Sequence, residues 1–336
     1  MSNLLPFIGR LKGITIKFGG YISRDTAVAI LIFVVALVLF LRSPMRQIND
    51  SKYSLLLSDS LLHHASFQLE RYDLEADGVA VPSSEKYQLT KLDSHIYYAF
   101  PPGGAVLSIP FLALGNILGK SVVDPTGRYD YGAEVKLQSQ IAAFLMAVLA
   151  VIFFFIARNF LAVGPSVIAT IGGTLGTQVW STASRGLWAD TWGIALLGLV
   201  ILMLVCSLLG RLRSHPVLLG SVLAWMFFCK PTYWIPIACI TVLVGLYQRR
   251  RLLQLLASGA VWLGLFLTWS ELQFGTVLPP YYDEYTQLGT STFGEALLGN
   301  IISPSRGLLI YVPTVLLVGY LVTRYWKSLP LKPVVA

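Results

Sequence analysis

Charged residues are scarce in this chain: Asp, Glu, Lys and Arg make up 12% of its 336 residues, whereas a soluble domain carries about 25%. That deficit excludes an ordinary soluble enzyme, a disordered chain and a nucleic-acid-binding domain. The formal net charge of +8 does not change this conclusion, because the basic residues are spread among separate segments rather than gathered into one patch.

Cysteine and histidine are also sparse. The three cysteines, Cys206, Cys229 and Cys239, lie inside apolar runs without a CxxC spacing, and the four histidines do not follow the spacing of zinc ligands. The cysteines are therefore interpreted as packing residues within a membrane. No metal site is predicted, since nothing in the sequence requires a cofactor and nothing supports a divalent metal.

Long apolar runs dominate what is present, with 55% hydrophobic residues and a mean hydropathy of +0.67. A spanning helix needs about 20 mostly apolar residues, with roughly 17 to 25 tolerated. The sequence therefore predicts an all-α polytopic membrane protein with about eight transmembrane helices, in a single integral-membrane domain over residues 1–336. The predicted spans are 26–42, 137–157, 164–182, 189–210, 215–229, 232–247, 252–271 and 307–323.

Charge bias predicts the orientation of these spans, because Lys and Arg near span ends concentrate on the cytoplasmic side. A ninth apolar run, 103–119, contains Pro110 and is interpreted as interfacial. The inner segments then hold thirteen basic residues and one acid, whereas a spanning 103–119 would turn the clusters at 211–213 and 249–251 outward. The sequence thus predicts a multi-pass plasma-membrane protein with 1–25 and 324–336 in the cytoplasm.

Residues 43–135 form a large predicted extracytoplasmic loop after the first span, and seven further spans occupy 136–323. Within the loop, 50–67 has apolar residues at helical spacing, which fits a helix on the membrane surface. Because no series of acids runs through the predicted bilayer, a secondary transporter is weakly supported. The polar residues gather instead at the predicted outer surface: Asp50, Tyr53, His95, Tyr97, Tyr98, Arg185, Asp190, Lys230 and Arg306.

Five short elements follow one another between residues 26 and about 323. They are Asn49-Asp50-Ser51-Lys52-Tyr53, Tyr97 with Pro101-Pro102-Gly103, Arg185 to Asp190, Lys230-Pro231, and SPSRGLLIY at 303–311. In these elements and their shared sidedness the chain resembles the C-type superfamily of integral-membrane glycosyltransferases. Within it, the chain is most similar to enzymes that use polyprenyl-phosphate sugars, such as protein O-mannosyltransferases and the bacterial aminoarabinose–lipid A transferase.

The resemblance implies transfer of a sugar, with inversion, from a polyprenyl-phosphate donor to an acceptor at the extracytoplasmic face. It implies that Asp50 is the general base on the acceptor, and that Lys230 and Arg306 bind the donor phosphate. Membrane lipids are the other expected partners, and no nucleic acid is expected. Whether the acceptor is a glycan, a lipid or a protein stays open.

Each of these residues also has a structural interpretation. Asp50 directly precedes the predicted surface helix and is a residue type that caps helices. Lys230 and Arg306 lie at predicted span ends, where long basic side chains reach toward the headgroups. Arg185 and Asp190 are five residues apart, close enough to pair with each other rather than to bind substrate.

His95, near Tyr97, is a candidate contact for the acceptor or the sugar, and Tyr53 and Tyr97 are either substrate-binding or structural residues. The alternative function is a non-catalytic lipid-binding or transport component built on the same scaffold. It stays open because family members more often carry paired acids after the first span, whereas Asn49 precedes Asp50 here.

Overall fold

The structure is a computed structural model that describes residues 24–74, 87–92, 94–213, 215–284, 293–305, 307–312 and 314–328. Arg306, nearly all of the predicted cytoplasmic segment 1–25 and most of the predicted tail lie outside the described residues. The chain is mostly helical and divides into two compact units, Met1–Tyr233 and Trp234–Ala336.

The described residues of the first unit form helices, one hairpin, a π-helical turn and a 3₁₀ turn. Its elements are α1 (Arg24–Leu41), α2 (Ser54–His64), β1 (Leu89–Leu92), β2 (His95–Tyr98), α3 (Gly103–Ile117), α4 (Tyr131–Arg158), α5 (Val163–Leu175), a π-helical turn (Val179–Ala183), α6 (Ala189–Leu208), α7 (Pro216–Cys229) and a 3₁₀ turn (Pro231–Tyr233). Strands β1 and β2 pair antiparallel, with Leu89 opposite Tyr98 and Leu92 opposite His95.

The second unit is helical throughout its described residues. Its elements are α8 (Trp234–Tyr247), α9 (Arg249–Phe274), α10 (Pro280–Glu284), α11 (Phe293–Ile302), α12 (Leu308–Tyr311), α13 (Thr314–Tyr325) and a closing 3₁₀ turn (Trp326–Ser328). Helix α9 ends at Phe274 and is followed by Gly275, whose positive φ of 67° is readily adopted by a residue without a side chain. Phe266 of α9 packs edge-on against the buried Tyr282, with ring centroids 5.8 Å apart.

Among the described residues, four helices, α1, α4, α6 and α9, are long and apolar enough to cross a membrane. The other predicted spans form shorter apolar helices. The predicted interruption at Lys230 is present: α7 ends at Cys229, Lys230 is extended, and a 3₁₀ turn follows. The last predicted span is divided into α12 and α13. The chain is therefore a mostly helical protein with several candidate membrane spans.

Helices α1 and α4 pack side by side in opposite directions. Asp25, in the first turn of α1, accepts hydrogen bonds from Nε and Nη2 of Arg158, the last residue of α4, at 3.2 and 2.9 Å. The end of α1 and the start of α4 therefore lie together at the opposite end of the pair. Residues 42–130, including α3, leave from and return to that same end.

The other helices of this unit also alternate in direction from one end of the bundle to the other. Near the end of α5, Trp180 packs on Phe40 at the end of α1, with ring centroids 5.8 Å apart. Asn159, just after α4, contacts Cys206 near the end of α6. Phe228, at the end of α7, lies against Gly103. The segment with Asp50, the turn after α5 and the end of α7 consequently share one end of the bundle, which we term the Asp50 end.

Helix α2 differs from the predicted membrane-surface helix over 50–67. It covers only Ser54–His64, and every residue from Ser54 to Ser60 is buried. The Ser58 hydroxyl donates to the carbonyl of Ala105 in α3 at 2.7 Å. An amphipathic surface helix would leave one side in water, so the prediction is wrong for this helix. Helix α3 covers Ser58, which lies between the apolar positions of the predicted helical spacing.

Helix α3, whose Ala105 accepts from Ser58 of α2, also has an exposed apolar face. Pro110, Leu114 and Ile117 are exposed, with Leu118 just beyond the helix end, and their spacing places them on one side of the helix. At its other end, α3 approaches α7 so closely that a Cβ on Gly103 would lie 2.4 Å from the carbonyl carbon of Phe228. Only glycine allows this contact between the two helices.

Candidate functional site

Asp50 lies in a turn at the Asp50 end of the bundle, beside an aromatic cluster. The Tyr87 hydroxyl donates to its Oδ1 at 3.1 Å, and the Tyr98 hydroxyl donates to its main-chain carbonyl at 2.7 Å. Phe100 contacts both tyrosine rings, with centroid distances of 6.1 and 5.7 Å. Burial and the neighbouring Asp50 carboxylate raise the pKa of Tyr87. The half-buried carboxylate is therefore held by a phenol that stays protonated.

Asp50 does not cap the following helix. Helix α2 begins at Ser54, after Tyr53 in the left-handed conformation with φ of 70°. The main-chain N–H groups of Tyr53, just before the helix, and of Leu55, in its first turn, donate to the carboxylate of Glu134 at 3.0 and 2.8 Å. Since Glu134 already supplies what an N-cap would supply, the capping interpretation of Asp50 is wrong.

Arg185 lies in the turn that joins α5 to α6, and this turn packs directly on the segment before Asp50. The Gln47 N–H donates to the Arg185 carbonyl at 3.3 Å. At Gly186 a Cβ would lie 2.2 Å from the Gln47 carbonyl oxygen, so a side chain cannot be placed there. The Thr191 hydroxyl holds the turn from α6 by donating to the carbonyl of Gly186 at 2.9 Å.

The guanidinium of Arg185 is buried without an acidic partner in the described part of the chain. Its Nε donates to the Trp180 carbonyl at 2.8 Å, and its Cζ lies 4.6 Å from the centroid of the Trp180 ring. The residue is 7% exposed. Burial lowers the pKa of Arg185, because desolvation disfavours the charged form. A buried cation without an anion beside it carries an uncompensated desolvation cost, which a bound anion would offset in part.

Asp190 pairs with Lys230 rather than with Arg185. Nζ of Lys230 lies 2.6 Å from Oδ2 of Asp190, and the two side chains are 30% and 48% exposed. Asp190 lies in the first turn of α6, while Lys230 follows the end of α7. The predicted Arg185–Asp190 pair is therefore wrong, because the turn directs Arg185 toward Trp180. The charge of Lys230 is already compensated in this structure.

The other phosphate-binding candidate, Arg306, lies outside the described residues. The residues around it join α11 to α12, and the hydroxyls of Ser303 and Ser305 lie 2.9 Å apart. Its predicted role stays a prediction.

His95, Tyr53 and Tyr97 occupy different environments. Nδ1 of His95 lies 2.7 Å from Oε1 of Glu70, and both side chains are partly exposed. Burial raises the pKa of Glu70, but hydrogen bonds from His95 and the Ile96 N–H outweigh this and hold the pKa below its ordinary value. His95 is three residues from Tyr98 along β2, or about 10 Å in an extended strand.

Tyr53 and Tyr97 are packing residues. Tyr53 is fully buried, and its ring lies 4.9 Å from that of Tyr129. Tyr97 is also buried, in β2 of the hairpin, with its ring 6.2 Å from that of His95. Neither tyrosine offers its ring to a substrate in this arrangement. Of the predicted aromatic contacts, Tyr98 is the one that touches Asp50, through its hydroxyl group.

Two polar residues at the Asp50 end were missed by sequence reasoning. Glu134 and Gln138 lie on consecutive turns of α4 and are both fully buried. An acid at the start of an apolar span normally indicates a solvated helix end, and this made Glu134 inconspicuous. The signal that was available is the spacing of the pair, since residues four apart share a helix face and here that face continues into the apolar span.

Within the described ranges, no group of three or more His, Cys, Asp or Glu side chains is arranged to hold a metal ion. What the Asp50 end offers is a carboxylate, an aromatic cluster, a buried guanidinium and one partly exposed ion pair. Comparison with protein-family models, with curated proteins and with solved structures found no match.

Proposed function

We propose that this chain is an inverting glycosyltransferase that moves a sugar from a polyprenyl-phosphate donor to an acceptor. One observation carries the proposal: at one end of an apolar helical bundle, the segment bearing Asp50 packs against the turn bearing Arg185, a buried cation without an acidic partner in the described residues. A carboxylate and a guanidinium carried by contacting main-chain segments at the end of an apolar bundle suit a hydroxyl acceptor and a lipid-linked phosphate.

The proposed reaction is a single displacement. Asp50 accepts the proton of the acceptor hydroxyl as its oxygen attacks the anomeric carbon of the donor. The bond between that carbon and the phosphate oxygen breaks, the electron pair leaves with the phosphate, and the configuration inverts. Arg185 stabilises the phosphate through the paired donors of its guanidinium. The cluster of Tyr87, Tyr98 and Phe100 offers aromatic faces to the sugar.

Lys230 stays in this proposal as a further phosphate contact, and the role of Arg306 stays a prediction from the sequence. Because Lys230 is paired with Asp190, its contribution requires the phosphate to share the ammonium group with that carboxylate or to displace it. Arg185 needs no such exchange, and it is therefore assigned the main contact.

We further propose the finer topology. Eight spans leave both termini in the cytoplasm, and the Asp50 end faces the extracytoplasmic side of the plasma membrane. The exposed apolar face of α3 would then rest in the outer leaflet. In support, α1 and α4 share the Asp25–Arg158 end, where Lys and Arg outnumber acids.

This topology predicts opposite labelling of two engineered cysteines. In a chain with Cys206, Cys229 and Cys239 replaced by alanine, Ser121→Cys is expected to react with an impermeant thiol reagent added to intact cells. Arg213→Cys is expected to react only after permeabilisation. Both positions are exposed, so protection reports the membrane side. Reaction of Arg213→Cys in intact cells, or protection of Ser121→Cys, contradicts the topology.

The activity itself is tested with purified full-length chain in nanodiscs. With a mixture of membrane lipids, glycans and hydroxyl-bearing peptides supplied as acceptors, we expect release of free undecaprenyl phosphate, measured by mass spectrometry, from at least one of undecaprenyl-phosphate mannose, glucose or arabinose. Asp50→Asn in the same nanodiscs serves as the control for non-enzymatic release. Binding of these donors without release by the wild type would instead favour the lipid-binding or transport component, and would contradict the enzymatic proposal.

A further inference from the structure

Glu134 is a fully buried carboxylate surrounded by hydrogen-bond donors. It accepts from the main-chain N–H groups of Tyr53 and Leu55, from the hydroxyl of Tyr129 and from the side-chain amide of Gln138 at 3.0 Å. A buried carboxylate with this many donors is held in one position, because each lost contact would leave a polar group unsatisfied. Glu134 therefore fixes the amide of Gln138 on α4.

Gln138 joins two loops that are far apart in the sequence. Its Nε2 donates to the Ser51 carbonyl at 2.7 Å and also lies 3.1 Å from the Ser54 hydroxyl. Its Oε1 accepts from the Leu187 N–H at 3.1 Å. One amide group thus bonds to the residue after Asp50 and to the residue two positions after Arg185.

Packing alone does not account for this pair. The surrounding core of α4 is apolar, and hydrophobic residues of similar size would fill it without the desolvation cost of a carboxylate and an amide. Apolar residues make no directional contacts. A hydrogen-bonding side chain, by contrast, can set the position of one main-chain segment relative to another. Both segments at this point are turns without a ladder of their own.

We propose that Gln138, held by Glu134, is a positioning residue that sets the distance between the Asp50 carboxylate and the Arg185 guanidinium. This inference rests on the proposed function, since it assigns those two groups to the acceptor and the donor phosphate. Neither Glu134 nor Gln138 touches substrate. Their effect passes through Ser51 and Leu187, and it concerns the alignment of the reacting groups rather than donor binding.

The test compares Gln138→Met with Gln140→Leu. Methionine has nearly the same length and volume but offers neither donor nor acceptor. Gln140 is an exposed glutamine on the same helix that accepts a hydrogen bond from Lys120 at 3.0 Å, so it controls for loss of a glutamine hydrogen bond. A displacement of about 1 Å at a reacting centre costs about 100-fold in rate. We expect kcat for undecaprenyl phosphate release to fall 10- to 100-fold in Gln138→Met, with the donor KM changed less than threefold.

Hydrogen exchange supplies a readout that needs no activity. In Gln138→Met the Leu187 amide is expected to lose protection, while the Tyr53 and Leu55 amides, bonded to Glu134, keep theirs. In Gln140→Leu all three amides and kcat are expected to match the wild type.

The outcomes separate the two proposals. An unchanged kcat in Gln138→Met, or a loss explained by a smaller folded fraction, overturns the positioning role. Unchanged protection of Leu187 overturns the contact on which it rests. If the wild type releases no undecaprenyl phosphate from any donor, the proposed function fails, and the exchange data still decide whether Gln138 holds the two segments together.

Discussion

Asp50→Asn is expected to lower turnover by about 10²- to 10⁴-fold, the contribution of a positioned general base. Asparagine keeps the size of the side chain and an oxygen that accepts from the Tyr87 hydroxyl, but it cannot take the proton of the acceptor. Since Glu134, not Asp50, satisfies the start of α2, melting temperature and donor binding should stay near the wild-type values. Turnover is measured as release of undecaprenyl phosphate.

Asp124→Asn is the matched control for this substitution. Asp124 is an exposed carboxylate in the segment between α3 and α4, where it accepts from the N–H groups of Thr126 and Arg128. Asparagine makes the same turn, so turnover should be unchanged. Transfer by Asp50→Asn at a rate within threefold of the wild type would eliminate Asp50 as the base. Asp190 would then be the next candidate, because Asp59 is buried and accepts from the Tyr72 hydroxyl at 2.9 Å.

Arg185→Met is expected to weaken donor affinity about 10- to 150-fold, which corresponds to about 1.5–3 kcal/mol for hydrogen bonds to a charged group. Removing a buried cation that has no acidic partner among the described residues should leave the melting temperature unchanged or raise it. Affinity for undecaprenyl-phosphate mannose, glucose and arabinose is measured by direct binding in nanodiscs. A Coulombic role in phosphate binding predicts that the loss is smaller at high salt.

Two variants delimit the interpretation of Arg185. Arg185→Lys keeps the charge but not the planar pair of donors, and it should recover only part of the affinity. Arg128→Met removes an exposed arginine whose Nε lies 3.2 Å from Asp73, and it should bind as the wild type does. Equal donor affinity in Arg185→Met and the wild type would return Arg185 to a purely structural role on the Trp180 ring.

The apolar helices and the break at Lys230 were predictable because both depend on local sequence. Hydropathy over about 20 residues marks a helix that can cross a membrane, and Lys230-Pro231 interrupts an apolar run that is too long for one span. The contacts that bury α2 depend instead on residues that are distant in the sequence. The burial of Ser58 in α2 depends on α3, whose Ala105 lies 47 positions away. Amphipathic spacing within 50–67 contains no information about that partner.

The site was predictable in its residue types but not in its pairings. Asp50, Arg185, Asp190 and Lys230 all lie at one end of the bundle, as their positions beside predicted spans indicated. Lys230 pairs with an acid 40 positions away, and the turn before α6 directs Arg185 to an aromatic ring. Such choices are made by tertiary packing. The role of Glu134 was hidden for the same reason, since its main-chain partner at Tyr53 lies 81 positions earlier.

The pairing of α1 with α4 sets an order for biosynthesis. Asp25 enters the membrane with the first helix, yet Arg158, its partner, is synthesised 133 residues later. Until then α1, which is only 17% buried in the finished structure over its apolar window, has little protein to pack against. At the Asp50 end, Gln138, which bonds to Ser51, is synthesised 87 residues after it. Leu187, the other partner of Gln138, follows 49 residues later. In the proposed topology, a ribosome-bound chain therefore carries Asp50 across the bilayer before its contacts exist, and the proposed site cannot form until Leu187 has emerged from the ribosome.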